Sequence, residues 1–266
     1  SDLLPHLTDL IQGLDFKNCI SEVELLSTGD NVTVTLFIEP KFGASDRIKL
    51  SDFSNSHKVS VYRKSGKITE SLGSLNTEHG YYINNLYFEV SPGSFLQTNH
   101  EINSAIVVYV LEVLRPSKKE IIADLFCGMG NFSLPLAQLA GSVLGVESDR
   151  ELLIQARANA ALNAIQNCEF LRGDLFKCSD FLLARLTGCE KILLDPPRVG
   201  ALDFVTNCDF EKVDHIVYVS CNPSTFARDA KVLCSRHKFI LISTRVFDMF
   251  PQTAHVELVG VFEKGI

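Results

Sequence analysis

From residue 120 onward the chain reads as a train of seven short apolar runs: "EIIADLF" (120–126), "SVLGVE" (142–147), "CEFLRGD" (168–174), "KILLDPP" (191–197), "HIVYVSC" (215–221), "FILISTRVF" (239–247) and "VELVGVFE" (256–263). Stretches with room for a helix separate the first six. A strand followed by a crossover helix returns parallel to itself, so this rhythm restricts the chain to a mainly parallel sheet with helices on its faces. The last two runs break the rule. Only "DMFPQTAH" (248–255) stands between them, too little for a crossover helix, so the final run should pair antiparallel. The expected architecture is α/β: a doubly wound sheet of six parallel strands plus an antiparallel seventh.

Ahead of this region the period changes to two. "NVTVTLFIE" (31–39) alternates, with Val32, Val34, Leu36 and Ile38 on one face and Thr33, Thr35 and Phe37 on the other, the pattern of a half-buried antiparallel strand. "HKVSVYRKSGKITESLG" (57–73) reads as a hairpin turning at Ser65 and Gly66, and "YYINNLYFEV" (81–90) as a further strand or pair. Helices are expected over 3–13 and near 45–53. The sequence therefore divides into a smaller α+β domain at 1–90, in front of a larger domain at 91–266.

Several classes are disfavoured. The most apolar candidate for a membrane span, "AIVVYVLEVL" from Ala105, is interrupted by Glu112 and falls short of the ~20 residues a bilayer requires. The opening "SDLLPHLTDLIQ" carries acids and no basic region, unlike a signal peptide. Eight cysteines are scattered without a C-x-x-C pair, which argues against zinc or iron-sulfur sites within the chain and for reduced thiols in the cytoplasm. The default for each is a small buried hydrophobe. A net charge of −7 is not that of a dedicated nucleic-acid-binding domain.

In open parallel sheets the ligand lies beyond the carboxyl ends of the strands. "DLFCGMGNF" (124–132) ends the first run with Gly128 and Gly130, whose backbone can approach a nucleotide, and then opens a helix whose N-terminus offers N–H groups. The second run closes with Glu147, placed to accept hydrogen bonds from ribose hydroxyls, and the third with Asp174, placed for an adenine amino group. Ser133 stands where the dinucleotide fingerprint would have its third glycine, which favours a ligand without pyrophosphate, such as S-adenosylmethionine, over NAD. "LLDPPRVG" then ends the fourth run with Asp195 and a proline-stiffened loop shaped to lie against a planar base.

The fifth run ends in "SCNP", which puts Cys221 at the same edge, and the antiparallel seventh begins there with His255 and Glu257. A thiol, a carboxylate and a methyl donor suit one reaction class. Thiolate addition at carbon 6 of uracil makes carbon 5 nucleophilic, and a base must later remove the hydrogen from carbon 5. Cys221 would be the nucleophile and Glu257 the base, with Arg198 or a backbone amide stabilising charge at O4.

These residues carry a resemblance. "SFLQTN" (94–99), "DLFCGMGNF" (124–132), "DPPRVG" (195–200), "SCNPSTFARD" (220–229) and "DMFPQTAHVE" (248–257) occur in the order found in the RNA uracil-C5 methyltransferases, and "CGMGNFSLPLA" is most similar to the branch that acts on 23S ribosomal RNA. The resemblance implies a Rossmann-like methyltransferase sheet, with cofactor contacts from Gln97, Phe126, Asn131, Glu147, Asp174 and Asp195. It makes Cys221 the nucleophile and Glu257 the proton acceptor, with RNA as the partner and 23S rRNA as the expected one. A tRNA substrate, or a non-catalytic RNA-binding fragment, is the alternative. The branch also implies an N-terminal oligonucleotide-binding barrel and an iron-sulfur cluster held by four cysteines, neither of which this sequence contains; Cys19 matches no cluster position.

Overall fold

The computed structural model describes residues 2–28, 31–39, 43–66, 68–73, 79–93, 97, 99–253 and 255–265. It contains two compact units, Ser1–Tyr81 with Glu89–Leu96, and Tyr82–Phe88 with Gln97–Ile266.

In the smaller unit, helix α1 (Leu3–Gln12) precedes the strand pair β1 (Ile20–Thr28) and β2 (Asn31–Ile38); α2 (Ala44–His57) leads to β3 (Ser60–Ser65) and β4 (Ile68–Ser71). The strands form one sheet in the order β1-β2-β3-β4. Val34, Leu36 and Ile38 of β2 pack with Leu7 of α1 and Leu50 and Phe53 of α2 in one core. The expectation for β2 needs correcting on two counts. Although antiparallel to β1, it runs parallel to β3, because α2 is a crossover between them. It is also covered on both faces: Thr33 and Thr35 are buried, and the Thr33 hydroxyl pairs with the His79 ring at 2.7 Å. Threonine is β-branched, and the Thr33 hydroxyl finds a partner, so it fills a buried strand position that polarity alone would assign to solvent; the Thr35 hydroxyl is buried with no hydrogen-bond partner among the described residues.

Next comes a two-stranded ribbon, β5 (Gly80–Ile83) and β6 (Leu86–Glu89). Its turn residues Asn84 and Asn85 have φ of 49° and 65°, the left-handed pair that a tight hairpin demands and asparagine tolerates.

The larger unit begins with α3 (His100–Leu114), whose first turn is capped by the Asn99 side chain accepting from the Ile102 N–H. There follow β7 (Ile121–Leu125), α4 (Ser133–Ala137), β8 (Ser142–Glu147), α5 (Arg150–Leu162), β9 (Cys168–Arg172), α6 (Asp180–Leu186), β10 (Lys191–Leu194), α7 (Leu202–Asn207), β11 (His215–Ser220), α8 (Pro223–His237), β12 (Phe239–Phe247) and β13 (Glu257–Lys264). The sheet order is β12-β13-β11-β10-β7-β8-β9. Pairings from β9 through β11 are parallel, and β13 lies antiparallel between β11 and β12, as the short last link requires. Strands β7, β8, β10 and β11 are mostly apolar and buried, with Asp124 of β7 the acid inside the run, as strands covered on both faces are.

Two expectations change. The glycine turn after β7 opens a helix of only five residues, so residues 128–131 themselves, and not a long helix terminus, face the ligand edge. The cysteines are all free, but Cys19 and Cys234 are exposed, against the default of burial. Cys234 is not among the buried residues of α8.

β13 carries Gly260 where the Phe226 ring of α8 lies against the strand; a methyl group there would sit 2.4 Å from Phe226 Cζ. Gly260→Ala should therefore lower stability by about 1–3 kcal/mol through overpacking, seen as a reduced urea midpoint at unchanged slope.

Candidate active site

Beyond β7 the backbone enters a strained turn. Phe126 has φ of 65°, a left-handed conformation that a bulky residue seldom adopts. The turn is tied down by the Cys127 N–H donating to Val146 O (3.0 Å) and the Gly130 N–H donating to Cys127 O (2.9 Å). Gly128 and Gly130 are also left-handed, with φ of 53° and 92°. They differ in surroundings: a side chain at Gly128 would enter open space, whereas at Gly130 it would press on Leu134 and Phe170. Gly128 is thus the point where a ligand can come against the backbone.

The carboxylate of Glu147, at the end of β8, is fixed at this turn. Its Oε2 accepts from the Gly128 N–H (3.3 Å), and Oε1 from the Ser148 (2.6 Å) and Asp149 (2.9 Å) N–H groups. Asp174 lies two residues past the end of β9, where Oδ1 accepts from the Phe176 N–H (3.0 Å) and Oδ2 pairs with Lys177 (3.3 Å). The rings of Phe126 and Phe176 are 5.6 Å apart and tilted by 55°. Asn131 exchanges two amide hydrogen bonds with the buried Asn103 of α3, at 2.9 and 3.1 Å. Gln97 is half-buried three positions ahead of α3; Ser94, Phe95, Leu96 and Thr98 of the same motif lie outside the described residues, as does Ala254.

One acid escaped the sequence reading. Asp124, on β7, is fully buried; its Oδ2 accepts the Ser133 hydroxyl, and Oδ1 has no hydrogen-bond partner among the described residues. Burial, reinforced by Glu147, moves its pKa up to about 7. Ser133, read from sequence only as an absent glycine, is therefore the donor that keeps this acid in place. The signal available was the acid itself, a charged residue inside an apolar strand run.

The loop after β10 is held almost wholly by one helix. Asn222 Nδ2 and Thr225 Oγ1 donate to Arg198 O (3.1 and 3.2 Å), and Arg228 Nη2 donates to Val199 O (2.8 Å). Asp229, fully buried, accepts from the Ala201 N–H (2.7 Å), the Tyr218 hydroxyl (2.7 Å) and Arg228 Nε (2.8 Å). The motif "SCNPSTFARD" is thus mechanical as well as chemical. Positions 222, 225, 228 and 229 share one face of α8 and clamp "DPPRVG". Sequence reasoning singled out the cysteine of that motif and missed the clamp.

Cys221 follows the last residue of β11. Since Ser220 pairs with Leu258 in the antiparallel ladder, the next position across from Cys221 is Glu257, which on its other side pairs with Phe247 of β12. Glu257 is only 5% exposed, and burial raises its pKa to about 7. Asp195 is held well above the ordinary carboxyl range by burial, with Glu257 and Asp124 adding to the effect. The Cys221 thiol is pushed up by burial and then by Glu257 and Asp195, while Arg198 opposes them. The fold thus brings together the expected thiol and carboxyls, in an environment that favours their neutral forms. His255 is exposed, its ring 6.3 Å from that of Phe250.

The residues fit a nucleoside-bearing sulfonium better than a metal cluster. Open space over Gly128, an oriented carboxylate at Glu147, an aromatic pair and an orphaned buried oxygen on Asp124 supply the polar and planar contacts such a group needs. Among the described residues no three His, Cys, Asp or Glu side chains stand together to hold a metal, so an iron-sulfur cluster has no seat on them.

This sheet order, with acids placed after successive parallel strands, defines a Rossmann-like methyltransferase domain preceded by a smaller mixed-sheet unit. The sequence model of the family described as tRNA (Uracil-5-)-methyltransferase matches residues 1–265. The 23S rRNA (uracil(1939)-C(5))-methyltransferase RlmD of Legionella pneumophila (strain Paris) is 34% identical over 268 residues, covering 98% of this chain and 60% of the relative. Its counterpart in Xanthomonas campestris pv. campestris (strain 8004) is 35% identical over 265 residues, again 98% and 60%. Among solved structures, the Pyrococcus abyssi tRNA (uracil-54, C5)-methyltransferase in complex with S-adenosyl-L-homocysteine superposes with a TM-score of 0.69 at 29% identity, over 88% of this chain and 57% of that one. The chain belongs to the RNA uracil-C5 methyltransferase family, and it spans 60% of the length of these sequence relatives.

A raised carboxyl has a cost in stability. Glu257 would titrate at 4.5 in the unfolded chain and does so near 7 in the fold, so its penalty is absent below the first value and complete above the second. Glu257→Gln should stabilise the fold at pH 8.5 by on the order of 2 kcal/mol, seen as a higher thermal midpoint, and leave the midpoint unchanged at pH 4.

Proposed function

We propose that this chain is the catalytic part of an S-adenosylmethionine-dependent enzyme that methylates carbon 5 of a uridine in RNA, with residues 91–266 as the catalytic domain and 1–90 as a smaller central domain. The observation that carries this reading is the placement of Cys221 across from Glu257 at the ligand edge of the sheet, next to Asp195. Gln97, Phe126, Asn131, Glu147, Asp174 and Asp195 hold the methyl donor. In this reading Glu147 takes the ribose hydroxyls, Phe126 lies against the adenine, and Asp174 receives the amino group. The bound donor supplies an electrophilic methyl group on a sulfonium.

The Cys221 sulfur, as thiolate, bonds to C6 of the uracil, and the C5–C6 π electrons pass toward O4. Carbon 5 then takes the methyl group, with the sulfonium's bonding pair staying on the departing thioether. The Glu257 carboxylate removes the C5 proton, the double bond re-forms, and the C–S bond to Cys221 breaks. Arg198, exposed on the clamped loop, is the cation that favours the thiolate.

The substrate we propose is 23S rRNA, at a uridine equivalent to position 1939 in the relatives' names, since the sequence relatives act there by name. A tRNA substrate is the second reading, favoured by the likeness to the Pyrococcus abyssi tRNA enzyme. Competition between the two RNAs for methyl transfer decides between them. The expected setting is the cytoplasm; among the described residues no helix is long and apolar enough to cross a membrane.

RNA carrying 5-fluorouridine, incubated with S-adenosylmethionine, should form a covalent complex stable to denaturing electrophoresis, because fluorine on carbon 5 cannot leave as a proton does. Cys221→Ala should form none; a complex that persists in that variant overturns the assignment. With ordinary RNA, Glu257→Gln should reduce kcat by about 10²- to 10⁴-fold while still accumulating the adduct. The wild-type rate should climb with pH through about 7 as Glu257 ionises, and a rate flat from pH 6 to 8 would remove it as the base.

A further inference from the structure

The mechanism leaves a groove of the larger unit, next to the start of α3, unused. The groove, of about 590 Å³, opens between residues 99–101 at the start of α3 and Met249, Phe250, Pro251 and Thr253 of the β12–β13 link. That is an ordinary volume for a small-ligand site. We propose that it holds the base of the nucleotide adjacent to the target uridine, stacked on Phe250. The inference rests on the proposed function and adds a second RNA contact to it.

Three features argue for a base. The first is chemical: a half-exposed Phe250 ring, the Pro251 ring and the buried Met249 make an apolar platform, and every nucleobase has a π-face to lay on it. Unpaired RNA bases are commonly recognised this way. The second is charge. The described residues that line the groove include Glu101 and no lysine or arginine, which repels a phosphate and suits an uncharged ring. Asn99 spends its carbonyl oxygen on the α3 cap, so the group it can offer a base edge is its amide donor.

The third is preorganisation and place. The Thr253 hydroxyl donates to Phe250 O (2.8 Å) and accepts from the His255 N–H (3.1 Å), Gln252 closes the turn with φ of 71°, and the His255 ring braces Phe250 edge-on. The platform is therefore formed in advance, and binding loses little freedom. The link leaves β12 at Phe247 and re-enters at Glu257, which pair with each other. Cys221 follows β11, two positions across the sheet from β12, or about 10 Å at the usual strand spacing. A uridine seated on Cys221 would present its neighbour toward the groove.

The test is a two-by-two cycle on the full chain. Single-stranded RNA containing the target uridine is offered intact, or with an abasic residue on the 5′ or the 3′ side, to wild type and Phe250→Ala, and kcat/KM for methyl transfer is measured. One abasic flank should cost wild type roughly tenfold, Phe250→Ala should lose about as much on intact RNA, and the two changes together should cost no more than either. Phe250→Tyr should keep most of the activity, and S-adenosylhomocysteine affinity should be unchanged throughout, which separates loss of stacking from loss of fold. Losses that multiply, or a Phe250→Ala variant as active as wild type, overturn the groove and leave the proposed function standing. No methyl transfer or 5-fluorouridine trapping by wild type on any RNA overturns the proposed function, and this inference with it.

Discussion

The antiparallel entry of β13 between β11 and β12 is the constraint on which the site depends. A parallel strand would have delivered its first residue to the far edge of the sheet. Because β13 runs the other way, its first residue, Glu257, arrives where Cys221 follows β11 and where β12 ends in Phe247. The short link that forces this direction is also the segment that builds the Phe250 groove. One topological choice, imposed by chain length, thus brings the thiol and the carboxyl to one edge and shapes the surface beside them.

A second theme is the concentration of acids in a region of low polarity. Asp124, Asp195 and Glu257 all have raised pKa values, burial being the largest cause for each, and Asp195 also feels the other two. Charges of one sign cannot all ionise at close range in such a medium, so protons are retained near neutral pH. That is unfavourable for folding and useful for moving a proton. The cost is offset by tight construction around it: β13 packed under Phe226, and a loop secured by Asn222, Thr225, Arg228 and Asp229.

Much of this architecture is legible along the chain, for reasons that differ between elements. The inner strands β7, β8, β10 and β11 are short, mostly apolar runs because both faces are buried, and the order of runs and spacers leaves few ways to connect them. Glu147, Asp174, Asp195 and Cys221 can be placed at one edge because a parallel sheet puts its strand ends there, and Glu257 because the antiparallel last strand begins there. β2 was misjudged for the converse reason: Thr33 is polar in the sequence, and only a partner from a distant residue, His79, makes its burial acceptable. Asp124 and the α8 clamp stayed hidden likewise, since their meaning lies in hydrogen bonds to residues 9 to 29 positions away.

What the sequence by itself determined is the list of elements, their direction and the chemical groups at their ends, all of which follow from local periodicity and the lengths of the links. Which of those groups are neutral, which are clamped and which face one another was decided only by the tertiary structure. Desolvation and long-range hydrogen bonding depend on what surrounds a residue in space. Cys221 shows the division: its place at the end of a strand can be read from "YVSCNP", while the buried carboxyls that govern its ionisation arrive from two other strands.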